Sequence, residues 1–262
     1  MRPKQTSGNS LARMLNILEL FCLARPTIHV EDVVELHGSA LSTAYRHLQE
    51  LCESGLLAQV GKGVYSLGPR VVELERLQQL TDPLLLAGKS ALDELEPICV
   101  NRALMLCNLY RDRVLCVHHV GAQAIRVGEK EIPVLRGRGM PMPLFKGAGS
   151  QAILAWLPHH RLRSLYAANA EAINRAGLGA DAAAFRRMLS AIRRRGHALS
   201  HGQISPRIEG ISVPILVTDR GVIGSLLLMQ ADDSPAAERE SWLAHLHERA
   251  EIIARCMDLS AA

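Results

Sequence analysis

The sequence predicts an α+β protein with a small, helix-rich domain at its N-terminus (residues 1–68, called the head) and a larger domain built on a mainly antiparallel sheet. Three observations favour this fold class. Helical and strand patterns are mixed along the whole chain. Two pairs of strand patterns after residue 83 are joined by short turns, which favours hairpins over a doubly wound parallel sheet. A Gly-Pro pair at 68–69 separates the first, helix-rich part from the rest.

Length and composition narrow the class of protein further. The chain has 262 residues, which predicts one or two domains. Hydrophobic residues make up 48% and charged residues 21%, a balance that excludes a disordered chain. No apolar run approaches the roughly 18 residues that a membrane span needs, and no apolar segment follows the basic N-terminus as it would in a secretory signal. We therefore expect a soluble protein of the cytoplasm that makes no contact with a membrane.

Motifs of metal, cofactor and enzyme sites are weak. The six cysteines show no CxxC spacing, which indicates reduced, mostly buried thiols. Residues 147–152 spell GxGxxA, but no βαβ unit follows, so a dinucleotide site is disfavoured. The sequence contains no GxSxG, HExxH or SxxK motif, and catalysis is unsupported. We expect no metal, no cofactor and no enzyme activity.

Residues 10–67 carry the patterns of three helices and a hairpin, in that order. The helices are expected at 10–24, 30–37 and 39–54, where Ser39 can cap the third and Gly55 ends it. The hairpin strands are expected at 56–60 and 64–67, with Lys62 at the tip of the turn. Three helices followed by a hairpin is typical of a winged helix-turn-helix domain, whose third helix enters the major groove of DNA.

The rest of the chain predicts a connecting helix and a second domain. Alternating charges over 71–80 suit a helix that bridges two domains. The predicted boundaries are 1–68 for the DNA-binding domain with its N-terminal arm, 69–82 for the linker helix and 83–262 for the second domain. Within that domain the helices are expected at 84–95, 149–157, 180–195 and about 235–258, and the strands at 103–109, 114–120, 211–218 and 221–229.

The exposed face of the third helix supplies candidate DNA contacts. Ser42, Thr43, Arg46 and His47 stand at relative positions 0, 1, 4 and 5 and are therefore expected to be neighbours on one face. Short donors suit phosphates at a helix N-terminus, a long cation suits a guanine edge or a phosphate, and Lys62 suits a backbone phosphate beside the wing. An ordinary solvated helix face is the alternative, which the preceding turn and the hairpin disfavour.

Charge does not decide between DNA and other partners. Residues 1–80 contain eight Lys and Arg against eight Asp and Glu, so this part of the chain has no net charge. This neutrality keeps open an alternative of another class, a small-molecule-binding module or enzyme whose winged helix mediates protein interaction. Tyr45 lies between the inward stripe and the groove face, so it either packs against the core or faces DNA, and we include it among the DNA-binding candidates.

Several segments together resemble the IclR family of bacterial transcriptional regulators. They are SLARMLNIL at 10–18, LSTAYRHLQEL at 41–51, GLL at 55–57, YSLGPR at 65–70, PLFKGAGSQAILA at 143–155, RRRGH at 193–197 and GISVPI at 210–215. The resemblance implies a C-terminal domain similar to the GAF fold that binds a small effector and modulates operator binding, as a repressor or an activator. It also implies homodimers that often pair into homotetramers.

The resemblance places effector contacts by position. They fall on Gly147, Ala148, Ser200, Gly210, Leu227 and Met229. At the last four, this chain has a small or apolar residue where the family has an acidic, thiol or hydroxyl side chain. The loss of donors shifts binding energy toward buried hydrocarbon, which predicts a less polar effector such as an aromatic or another catabolic intermediate. Met140 and Met142 are further candidates for the lining because methionine adapts to irregular ligands, although methionine in such a domain is more often a core residue.

Overall fold

The computed structural model describes residues 10–110, 113–134 and 137–259. The chain divides into two compact units, residues 1–81 and 82–262. Helices and antiparallel sheets are mixed as the sequence predicts, and the α+β fold class is confirmed.

The first unit contains three helices, a winged sheet and a fourth helix. Its elements are α1 (Ser10–Asn16), a 3-10 turn (Ile17–Leu20), β1 (Thr27–His29), α2 (Val30–His37), α3 (Leu41–Glu53), β2 (Leu57–Gly61), β3 (Val64–Leu67) and α4 (Arg70–Thr81). The strands form an antiparallel sheet in the order β1-β3-β2. A compact core holds α3 in place, with Ile17, Ile28, Leu48 and Leu51 essentially inaccessible to solvent.

Two local expectations for this unit are wrong. The first helix does not continue to residue 24, because the chain tightens after Asn16 and then reverses through a bridge between Cys22 and Arg25. Ser39 does not cap α3. Ala40 occupies the N-cap position and offers no side-chain acceptor, whereas the Ser39 hydroxyl is buried without a partner among the described residues.

Helix α4 is tied by its backbone to the end of the wing. The Gly68 N–H donates to Leu56 O (2.8 Å) and the Arg70 N–H donates to Gly55 O (3.1 Å). Gly68 is packed so closely that a Cβ there would lie 2.2 Å from Gly55 O. The start of α4 is therefore fixed to the sheet of the same unit, and only glycine fits at position 68 without a shift of backbone.

The second unit is a six-stranded antiparallel sheet with helices on both faces. Its elements are α5 (Pro83–Asp93), β4 (Ala103–Tyr110), β5 (Arg113–Gly121), β6 (Ala124–Val127), β7 (Lys130–Pro133), β8 (Pro141–Pro143), α6 (Ala148–Ala155), α7 (His159–Arg175), α8 (Ala182–Arg195), β9 (Ala198–His201), β10 (Ile208–Val217), β11 (Gly221–Ala231) and α9 (Ala236–Leu259). The strand order is β8-β5-β4-β11-β10-β9, and β6 and β7 form a separate hairpin.

Strand alternation divides the core of this unit into two layers. Cys107 and Leu227 face one side, where α6 and α8 pack. Leu106 and Leu228 face the other side, where α5 and α9 pack. Because successive side chains of a strand point to opposite faces, both layers follow from nearly continuous apolar runs in β4 and β11.

Candidate DNA-binding surface and effector site

The surface of α3 presents most of the predicted DNA contacts. Ser42, Tyr45 and Arg46 are exposed, and Thr43 is half-buried beside them. Lys62 is exposed in the turn between β2 and β3. The first turn of α3 carries no acidic residue and no side-chain cap, so its N-terminus is open to an anion such as a phosphate.

His47 does not belong to this surface. The expectation that it lies outermost with its three neighbours is wrong, because its side chain is only 4% exposed. Its Nε2 lies 3.1 Å from Ser10 Oγ at the start of α1, and its ring meets His37 edge to face with centroids 6.5 Å apart. Burial is the main cause that lowers the pKa of both histidines below the ordinary value. His47 is therefore a core residue of the head.

Tyr45 links the exposed face of α3 to the wing. Its side chain is 42% exposed. Its hydroxyl lies near the wing turn, since a Cβ on Gly63 would be 3.7 Å from that oxygen. The Val30 N–H donates to Gly63 O (3.0 Å), which holds the same turn against α2. The exposed residues of α3 and the turn of the wing thus belong to one rigid surface.

In the second unit, the positions implied for effector contacts come together at the N-terminus of α6. The Ala148 N–H donates to Ser200 Oγ (3.0 Å). Gly210 is paired in register with Ser200 on β9 and with Met229 on β11. A Cβ on Gly210 would lie 2.8 Å from Ser200 Oγ and 3.4 Å from Leu227 Cδ1. We call this group the cradle, and define it as Gly147, Ala148, Ser200, Gly210, Leu227 and Met229.

Helix α6 is held firmly above the sheet. All eight of its residues are buried. Ser225 Oγ donates to Gly149 O (2.9 Å) from β11, and Ser150 Oγ donates to Pro143 O (2.8 Å) at the end of β8. A Cβ on Gly149 would lie 3.4 Å from Cys107 Sγ, so this thiol packs directly under the helix. Complete burial raises the pKa of Cys107 well above its ordinary value, which makes it a poor nucleophile.

Of the two candidate methionines, Met142 belongs to the same buried cluster as Ala148 and Leu227 of the cradle. Met142 is buried on β8 in the layer beneath α6. Met140 is half-buried in the loop before that strand, where its N–H donates to Gly137 O (3.1 Å).

Two glutamines at the cradle were not predicted. Gln203 Oε1 accepts hydrogen bonds from the Gly147 N–H and from Gln151 Nε2, both at 2.9 Å. Gln151 is only 1% exposed. It is the one long polar side chain in an otherwise small and apolar helix, and a buried amide requires a partner. That requirement was the available signal in the sequence, although the identity of the partner was not.

Two further classes of site find no support in the described part of the chain. Over residues 10–110, 113–134 and 137–259, no three His, Cys, Asp or Glu side chains group so that they could hold a metal ion. None of the helices in these ranges combines the length and the apolar character that crossing a bilayer requires.

Comparison with known proteins gives a consistent assignment. Residues 10–61 match the IclR helix-turn-helix domain, and residues 89–255 match the C-terminal domain of the bacterial transcriptional regulator IclR. The chain is 27% identical to the transcriptional regulator KipR of Bacillus subtilis over 229 residues, which cover 85% of this chain and 86% of KipR.

Solved structures share the fold over nearly the whole chain. An IclR transcriptional regulator from Silicibacter sp. TM1040 superposes with a TM-score of 0.79 at 24% identity, covering 95% of this chain and 96% of the other. An IclR homolog from Microbacterium hydrocarbonoxydans, in complex with 4-hydroxybenzoate, gives 0.70 at 22% identity and covers 97% and 100%. Because the C-terminal domain match alone spans more than half of the sequence, this protein belongs to the IclR family of bacterial transcriptional regulators.

Proposed function

We propose that this protein is a cytoplasmic regulator that binds a pseudo-palindromic operator through α3 of two copies, and that a small effector in the cradle modulates this binding. The observation that carries the proposal is the exposed set on α3 next to the wing. Ser42, Thr43 and Arg46 project from a helix whose opposite side is locked in a core, and Lys62 stands at the wing turn. Rigid presentation of this kind is what readout of a groove needs.

Each side chain of this surface has a distinct proposed role. Arg46 contacts a guanine edge or a phosphate in the major groove, because its fork of donors matches either acceptor. Ser42 and Thr43 contact phosphates at the N-terminus of α3, and Lys62 contacts the backbone beside the wing. The side chain of Tyr45 extends from α3 toward the wing turn and contacts the sugar-phosphate backbone there.

Helix α4 supports assembly into a homodimer. It has no buried residue within its own unit. Four of its apolar side chains are each at least 44% exposed, namely Val72, Leu74, Leu77 and Leu80. Exposed apolar surface of this extent favours a partner, and a second copy of α4 would cover it while placing two copies of α3 on one operator.

The lining of the cradle favours an effector with an apolar body. Leu227 and Met229 supply hydrocarbon where a hydroxyl would otherwise orient a ligand. The Microbacterium homolog is described in complex with 4-hydroxybenzoate, an aromatic acid. We propose an aromatic acid or a comparable catabolic intermediate as the effector class for this chain.

A footprint on DNA flanking the protein's own gene tests the regulator proposal. We expect protection of two half-sites about one helical turn apart, or a multiple of that spacing. We also expect a shift in operator affinity with an aromatic acid but not with pyruvate. Indifference to every promoter fragment would favour the alternative, a binding module or enzyme whose winged helix contacts another protein.

A further inference from the structure

The loop between β9 and β10 lies over the N-terminus of α6. We call residues 202–207 the strap. Gln203 in the strap accepts the two hydrogen bonds at 2.9 Å from Gly147 and Gln151. Ile204 adds an apolar contact, since a Cβ on Gly147 would lie 3.2 Å from Ile204 Cγ1. One amide oxygen and one aliphatic side chain therefore hold the strap against the cradle.

The buried amide of Gln151 indicates what kind of ligand could displace the strap. Its amide is buried on α6, so it gains little from water, and its described hydrogen bond goes to Gln203. If the strap moved away, both Gln151 Nε2 and the Gly147 N–H would lose their acceptor. Leaving a buried donor unpaired is costly, so a ligand that brings an acceptor atom to the same point is favoured over one that does not.

We infer that Gln203 is an internal competitor of the effector, and that the effector binds by placing a carboxylate oxygen where Gln203 Oε1 now sits. The inference rests on the proposed effector site. A carboxylate satisfies the same two donors and carries a negative charge, which the N-terminus of a helix favours over a neutral amide. Gln151 then determines specificity for an acid at the polar end, and Leu227 lines the apolar end.

The contacts of the cradle agree with such an exchange. Ser200 Oγ, Ala148 Cβ and Leu227 Cδ1 all lie within 3.4 Å of the position that a Cβ on Gly210 would take, so this region is filled and a ligand must open it as it enters. Gln203 is exposed and lies in a loop without helix or strand, so it can leave without unfolding the sheet. Within the strap, Gln203 and Ile204 are the part that yields, because Arg207 is held by the Asp232 N–H (3.0 Å) and by its ion pair with the Asp232 carboxylate. Helix α6 stays anchored by Ser225.

Three variants of the full-length protein test the inference, each compared with wild type. Gln203→Ala removes the competitor and leaves both donors in place. Gln203→Glu supplies an internal carboxylate. Gln151→Leu removes the buried donor. Gln123→Ala, an exposed glutamine elsewhere in the same unit, is the matched control. Benzoate, 4-hydroxybenzoate and the neutral analogue benzyl alcohol are titrated by calorimetry, and hydrogen exchange of the strap amides at Gln203, Ile204 and Ser205 is measured without ligand.

The expected outcomes are specific to the competitor role. Gln203→Ala should speed exchange of the strap and tighten binding of at least one of the two acids by about fivefold or more, because two hydrogen bonds no longer compete. Gln203→Glu should weaken binding of the acid below that of wild type. Gln151→Leu should weaken acid binding and leave the affinity for benzyl alcohol unchanged. Gln123→Ala should match wild type throughout.

Other outcomes separate this inference from the proposed function. If an acid binds wild type and Gln203→Ala equally, or if exchange of the strap does not change, the competitor role is refuted and the effector site stands. If only benzyl alcohol binds, the proposed effector site stands and the carboxylate exchange is wrong. If none of the three compounds binds any variant, both the exchange and the proposed aromatic effector class are refuted, while the operator footprint still decides the DNA-binding role.

Discussion

Replacing Arg46 with alanine is the most direct test of the proposed DNA-binding surface. Arg46 is exposed on α3, and among the described residues its guanidinium makes no hydrogen bond or ion pair. The substitution therefore removes no hydrogen bond or ion pair to a described residue, and its effect on folding should stay within about 0.5 kcal/mol, as is usual for surface positions. Any larger loss of operator affinity must then come from the DNA side.

The size of that loss follows from the role of the side chain. A bidentate contact with a guanine edge is worth about 1 to 3 kcal/mol, which corresponds to roughly 5-fold to 150-fold in the dissociation constant for each half-site. In that case operator affinity falls while affinity for unrelated DNA changes little. If Arg46 contacts a phosphate instead, both affinities fall together and the salt dependence of log K decreases by about one unit.

Fluorescence anisotropy with operator and scrambled duplexes over a range of salt concentrations distinguishes these roles. Arg25→Ala is the matched control, because it removes the same charge from the same unit at a site where the guanidinium lies 3.7 Å from Asp32. If Arg46→Ala binds the operator no more weakly than Arg25→Ala does, α3 is not the surface that reads DNA.

Three further predictions concern the core of the head and the layer beneath α6. Leu48→Ala should destabilise the head by about 2 to 5 kcal/mol because Leu48 is fully buried, whereas Leu41→Ala, on the exposed side of the same helix, should change its urea midpoint little. Burial lowers the pKa of His37 and His47, so the unfolded head binds more protons than the folded head, and the stability of the folded head should fall as the pH drops below about 6.5. Replacing both histidines with glutamine should reduce this loss of stability at acid pH in thermal melts. Cys107 should react with iodoacetamide only after unfolding, whereas the exposed Cys22 and Cys256 should react in the native protein; rapid modification of Cys107 itself, located by peptide mapping, would contradict the tight packing under α6.

The long periodic elements could be predicted from the sequence, and the short ones could not. Helix α2 begins and ends where its pattern predicts, and β10 and β11 follow their apolar runs within a few residues. Strands β1 and β8 have three residues each, too few for an alternation to be recognised. Helix α7 escaped prediction because it has only three buried residues, Leu162, Leu165 and Ile173, with none over the two turns between the last two, and because Asn169 departs from helical geometry with φ −139°.

At the candidate sites too, burial that follows a local spacing could be predicted, whereas contacts between residues far apart in the sequence could not. On α3, positions 44, 47, 48 and 51 follow the i, i+3, i+4, i+7 spacing of a buried stripe, so the burial of His47 was available from periodicity alone. The prediction placed His47 on the DNA-binding face because its ring can donate a hydrogen bond, although its spacing places it on the buried side. The bond between Gln151 and Gln203 joins residues 52 apart in the sequence. A pairing over that distance depends on how β9 returns to α6, which no local pattern encodes.

The close packing at Gly68 bears on how hybrid regulators should be assembled. The backbone N–H groups of Gly68 and Arg70 bond to Leu56 O and Gly55 O, so the start of α4 is tied to the residues before β2. A gene fusion with its junction at 68–70 would join two chains at a position that accepts no Cβ. A junction after Thr81 transfers α3 together with the whole of α4. Exchange of operator specificity between relatives should therefore succeed at the second crossover point and fail at the first.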